Sequence, residues 1–176
     1  MKLKGLLLPA SLGICAMLAI ASDLPKLGKS RSEVRTLIGA PTEIRASAGG
    51  EEVWEYAGKP SPYQNYFLTF AKDGTLREIK PVINDAAFSK IKVGSTTEAR
   101  VRELLGTPWR TTNYGDCHPV DFQEIWEYRG QDSGGTYKLQ IEFDEGGIAR
   151  IVVKTPDKGR PIVLAAAPSQ DTKHQH

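Results

Sequence analysis

The chain has 176 residues, 40% of them apolar and 25% charged, which is enough apolar material for a packed core and excludes wholesale disorder. Its 23 basic and 21 acidic residues give a formal charge of +2, which names no partner class. Two cysteines exclude a disulfide-dense scaffold and a four-cysteine zinc site.

Residues 1–21 read as a secretory signal. Lys2 and Lys4 precede an apolar stretch from Leu6 to Ile20, no acid appears before Asp23, and Ala19-Ile20-Ala21 offers small side chains to a signal peptidase ahead of Ser22. Lipidation at Cys15 is disfavoured, because the bulky Ile14 precedes it and the apolar run continues beyond it. Cleavage leaves 155 residues with equal numbers of acids and bases, no methionine, and Cys117 as the one thiol. An internal disulfide is then impossible. The expected location is periplasmic or outer-membrane-associated, with no membrane span after cleavage.

The rest of the chain repeats itself. Val34-Arg35-Thr36-Leu37-Ile38-Gly39-Ala40-Pro41 returns as Val101-Arg102-Glu103-Leu104-Leu105-Gly106-Thr107-Pro108. Val53-Trp54-Glu55-Tyr56 returns as Ile125-Trp126-Glu127-Tyr128, and Phe70-Ala71-Lys72-Asp73-Gly74 as Phe143-Asp144-Glu145-Gly146-Gly147. Three ordered blocks at matched spacing, with a period of about 70 residues, indicate a duplicated module rather than a solenoid. The implied division is a signal at 1–21, a first module at 22–83, a second at 84–156, and a disordered tail at 157–176.

Within each copy the elements follow from local chemistry. Ser30 with Glu33, and Ser95 with Glu98, form capping boxes that start helices. Val34, Leu37 and Ile38, and likewise Val101, Leu104 and Leu105, make one apolar stripe; Gly39 and Gly106 stop the helices in a left-handed conformation and Pro41 and Pro108 prevent their resumption. Short strands are predicted at 42–46 and 109–114. Longer ones contain Glu52-Trp54-Tyr56 and Glu124-Trp126-Tyr128, then Tyr66-Leu68-Phe70 and Tyr137-Leu139-Ile141-Phe143. Asp73-Gly74 and Gly146-Gly147 are hairpin signals leading into 76–83 and 148–154. Asn84 can cap a further helix over 85–90. The predicted fold class is α+β, a tandem repeat of short helices packed on an antiparallel three- or four-stranded sheet.

The order of capped helix, V-x-x-L-[IL]-G-x-P, W-E-Y and F-x-x-[DG]-G resembles the SmpA/OmlA (BamE-like) family in two tandem copies, over 28–79 and 94–153. The same fold occurs in tandem in the secreted β-lactamase inhibitor proteins. The resemblance implies a non-enzymatic envelope protein that binds another envelope protein, with the β-barrel assembly machinery as the family's partner, in support of outer-membrane assembly or integrity. The alternative it implies is a secreted proteinaceous inhibitor of a β-lactamase-like enzyme. The matched positions build the fold, so no functional residue is carried over.

Catalytic, cofactor and metal constellations are thin, and none is assigned. Cys117-His118, near Asp116 and Asp121, reads as a polar exposed loop, and the other histidines, His174 and His176, lie in the tail. Gly130, Gly134 and Gly135 lack the lysine and the strand-glycine-helix setting of a phosphate loop. Dispersed bases and export argue against nucleic acid. The remaining candidates are aromatic: Tyr63 in the Pro-rich Ser61-Pro62-Tyr63, Tyr66, Trp109 and Tyr114, which would serve as protein-binding residues on loops and a sheet face.

Overall fold

The structure is a computed structural model and describes residues 24–113, 124–158 and 161–167. The signal segment, Tyr114, Cys117 and His118 lie outside the described residues.

Helix α1 spans Arg31–Ile38. The Ser30 hydroxyl accepts from the Glu33 amide at 3.3 Å while the Ser30 amide donates to the Glu33 carboxylate at 2.8 Å, the reciprocal cap expected from the sequence. Strands β1 (Glu43–Ala46), β2 (Glu52–Ala57), β3 (Asn65–Phe70) and β4 (Leu76–Pro81) follow as an antiparallel meander. Val34 and Ile38 of α1 close over Trp54, Tyr56, Leu68, Phe70 and Leu76, and Trp54 and Phe70 rings stand 4.6 Å apart. Each large side chain buried this way stabilises the fold by roughly 1.5–3 kcal/mol.

Helix α2 is one turn, Asp85–Phe88, capped by Asn84, whose side chain accepts from the Ala87 amide at 3.0 Å. Helix α3 spans Glu98–Leu105 and leads to β5 (Arg110–Asn113), β6 (Glu124–Asp132), β7 (Gly135–Phe143), β8 (Ala149–Pro156) and β9 (Ile162–Ala166), a five-stranded antiparallel meander. Its core joins Val101 and Leu105 to Trp126, Tyr128, Leu139, Ile141, Phe143 and Val152.

The expected fold class is overturned. The chain is mostly antiparallel sheet, a four-stranded and a five-stranded one, with few helices, and not a repeat of helices on sheets. Two causes are visible. Strands β6 and β7 run to nine residues each while α1 and α3 stop at eight, and Ile162–Ala166, within the stretch read as a tail, forms β9. Each sheet has its own core cluster, but the two sheets interlock: Phe67 and Val53 of the first sheet pack into the cluster of the second.

Two local expectations are corrected as well. Thr97, not Ser95, caps α3, its hydroxyl accepting from the Arg100 amide at 3.2 Å. The Thr96 hydroxyl is instead held by the Lys92 amide at 2.7 Å and Ser95 donates to the Lys92 carbonyl, so both fasten the preceding turn. Gly39 and Gly106 do take positive φ, 85° and 77°, but their ψ of −166° and −158° puts them in an extended region open to glycine and not in the left-handed helical one.

Candidate functional site

The two sheets meet where the last turn of α3 enters the second face of the four-stranded sheet. Cross-strand pairing sets Glu43, Glu55 and Phe67 side by side on that face. Glu55 is 1% exposed. One of its carboxylate oxygens accepts from the Thr107 amide at 2.5 Å, and the other takes the Arg45 guanidinium at 2.5 Å. Burying a carboxylate is tolerable only with such partners, since a lone buried charge is very costly. Arg45 also binds Glu43 and lies 5.2 Å over the Phe67 ring. Its hydrogen bond, ahead of its charge, holds the Glu43 carboxyl below the usual range.

Asn65, at the start of β3, completes the junction. Its amide donates to the Leu105 carbonyl at 2.8 Å and the Thr107 carbonyl at 2.9 Å, while its oxygen accepts from the Gly58 amide at 3.1 Å. These carbonyls lie at and just past the end of α3, where helix geometry leaves acceptors without intrahelical donors. A cleft opens beside them, lined by Ala57, Gly58, Pro62 and Asn65 from one sheet and Thr107, Pro108, Trp109, Tyr128 and Arg129 from the other, with a cavity of about 190 Å³.

Trp109 stands at the mouth, 49% exposed although its backbone amide is tied to the Glu127 carbonyl at 2.8 Å. The Arg129 guanidinium lies 3.5 Å over its ring, and that of Arg110 lies 5.7 Å away. An exposed indole held flat by a guanidinium offers an apolar face and free N–H donors at one place. Among the described residues, no group of three or more His, Cys, Asp or Glu side chains is arranged to hold a metal.

No protein-family model matches the chain, and no curated protein matches it. One solved structure aligns with it, a DUF4309 family protein, YjgB, from Bacillus subtilis, at 17% identity and a TM-score of 0.28, covering 73% of this chain and 78% of that one. A likeness of that size carries no argument.

The four aromatic candidates separate. Trp109 is on the surface at the cleft. Tyr63 is half-buried in the β2–β3 loop, next to Pro62 of the cleft wall. Tyr66 points away, packing against the first core, and burial pushes its hydroxyl pKa up. Tyr114 lies outside the described residues. Glu55, Asn65 and Arg129 join the site although no motif of the sequence marks them as site residues. Glu55 alternates with Trp54 and Tyr56, which marks it as facing away from the first core, but only the docking of α3 makes that second face an interior one.

Proposed function

We propose that the chain is an exported cell-envelope protein that acts by binding another protein, in the manner of the SmpA/OmlA family, supporting outer-membrane assembly or integrity. The observation that carries the reading is the half-exposed Trp109 with Arg129 stacked upon it at the mouth of a cleft between two interlocked sheets. Tryptophan and arginine are the residue types on which protein recognition most often concentrates. Asn65 in the cleft wall, held to the end of α3, and Glu55 behind it, held to Thr107, let a partner dock without ordering the site first. Lys2, Lys4 and the apolar run to Ala21 support export. Among the described residues, no helix is long and apolar enough to cross a membrane.

The test is a photo-crosslinking amino acid at position 109, activated in living cells, with position 90 on the exposed Lys90 as control. An envelope protein captured at 109 and not at 90, and bound at least about 30-fold more weakly after Trp109→Ala, supports the reading. Equal capture at both positions, or affinity unchanged by Trp109→Ala, overturns it.

A further inference from the structure

Each sheet has two edges, and three of the four carry charge. β1 has Glu43 and Arg45, β4 has Arg77, Glu78, Lys80 and the terminal Pro81, and β5 has Arg110. Charges and proline on an edge strand discourage another strand from adding to it. The fourth edge, β9, reads Ile162-Val163-Leu164-Ala165-Ala166, with neither. Its side chains are also bare: Ile162 is 53% exposed, Val163 61% and Leu164 44%.

Beside this edge runs an apolar groove. Pairing between β8 and β9 shifts at Val152/Val153, and Leu164, with no partner on β8, lines the groove with Ala165, Val152, Phe88, Ile91 and Val93. The cavity is about 440 Å³, with Asp85, the first residue of α2, and Lys92, four residues past its end, both among its lining residues.

We propose that β9 is the interface of a two-fold homodimer, in which β9 of one copy pairs antiparallel with β9 of a second and the two five-stranded sheets become one of ten. Three features fit a second copy better than a foreign strand. Centred on Leu164, antiparallel self-pairing sets Ile162 opposite Ala166 and Val163 opposite Ala165, large against small on either side of a central Leu164–Leu164 pair. The two-fold axis also turns α2 of the second copy end for end across the joint groove. That sets Asp85 of each, which holds Lys154 of its own chain at 3.2 Å and keeps its side chain 81% exposed, toward Lys92 of the other, an isologous charge match. Finally, a five-residue strand edge alone falls short of the roughly 1,200 Å² that stable interfaces bury, and the shared groove, with a Leu164 from each copy in it, supplies further apolar area.

The experiment uses the processed chain isolated from the producing cell, kept reduced so that Cys117 cannot link copies. Sedimentation equilibrium from about 0.1 to 100 μM should show a monomer–dimer equilibrium, and Leu164→Lys should raise the dimer dissociation constant at least about 100-fold. Hydrogen exchange on the unaltered chain gives an independent readout: amides of 162–166 should gain protection as concentration rises into the dimer range, while those of edge strand β1 should not. A monomer at every concentration overturns the proposal. So does an open series of larger species, or a dimer whose β9 exchange ignores concentration.

Discussion

The Glu55 carboxylate receives the Thr107 amide at 2.5 Å across 52 residues of sequence, so a strand of one sheet caps the turn that ends the helix of the other. The same carboxylate neutralises Arg45. It therefore joins the two halves and pairs with a half-buried cation through one group. Glu55→Ala strips both partners and leaves Thr107 N–H with no acceptor. The expected cost is about 3 kcal/mol, read as a lowered urea midpoint with an unchanged slope. A loss under about 1 kcal/mol would show that water replaces the carboxylate easily and that the junction is not tight.

Gly39 and Gly106 give a controlled comparison, because their backbones are nearly the same. A Cβ at Gly39 meets nothing within 4 Å, whereas one at Gly106 would lie 2.8 Å from the Glu55 carboxylate and 3.1 Å from the Phe67 ring. Both alanine variants carry the positive-φ strain of about 1–3 kcal/mol. Gly106→Ala should exceed Gly39→Ala by at least about 1 kcal/mol in denaturant unfolding, since the junction must open to admit the methyl group. Equal losses would place the cost in the backbone alone.

These two positions also show how far the sequence could be read. The repeated G-x-P announced where each helix stops, and the alternation around Trp54 and Trp126 announced which residues face each first core. What the repeat concealed was that its copies are not equivalent in place. Glu55 and Glu127 occupy the same motif position, yet Glu55 is shut between sheets while Glu127 is half-exposed and bonded by Gln140 at 3.0 Å. That difference comes from α3 packing on a neighbour 50 residues away, which no local pattern encodes. β9 was illegible for a related reason: five small and apolar residues after a proline gain a strand only because the edge of β8 is there to pair with. Of the site itself, Trp109 was legible as an aromatic without a core position, and Arg129 was not, because its role depends on the ring it stacks on.

A second inequality between the copies predicts a stabilising substitution. At the first position of α1, Arg31 binds Glu52 at 2.9 Å, and Glu52 accepts the Trp54 indole N–H at 2.9 Å. At the first position of α3 stands Glu98, whose pKa is raised by burial and by the Glu124 and Asp144 carboxylates, while the Trp126 indole N–H has no partner among the described residues. Glu98→Arg should therefore stabilise the chain at neutral pH, by up to about 1 kcal/mol for a partly exposed pair. The pH dependence should change too. Because the folded pKa of Glu98 lies above the ordinary 4.5, its contribution is fully present below pH 4.5 and lost as pH rises through the raised value. Glu33 runs the other way: hydrogen bonds from Lys29 and Ser30 lower it to about 2, so its contribution is present above pH 4.5 and lost as pH falls toward 2. Stability profiles of the two proteins should converge in acid and separate toward pH 7, and a constant gap across that range would contradict the assignment.

At the alkaline end the two motif tyrosines set the limit. The hydroxyl of Tyr56 donates to the Gly39 carbonyl at 3.1 Å and that of Tyr128 to the Gly106 carbonyl at 3.0 Å, so each ties a strand to the turn that ends its helix. Burial raises Tyr56 to about 12 and drives Tyr128 higher still, the nearby Glu55 charge adding to the effect there. With folded values above the unfolded 10, both contributions are complete below pH 10 and are lost as pH climbs from there. Unfolding followed by tyrosinate absorbance should thus be cooperative above pH 10, with Tyr56 and Tyr128 ionising only as the chain opens. Phenylalanine at either position removes one such ionisation and moves the alkaline midpoint upward, at the expense of one hydrogen bond. Tyr128→Phe should be the more damaging at neutral pH, by about 1–2 kcal/mol, because it leaves the carbonyl of buried Gly106 without its donor, while the exposed Gly39 carbonyl can turn to water. The reverse order would mean that the junction around Gly106 admits solvent and that Glu55 and Asn65 do not seal it.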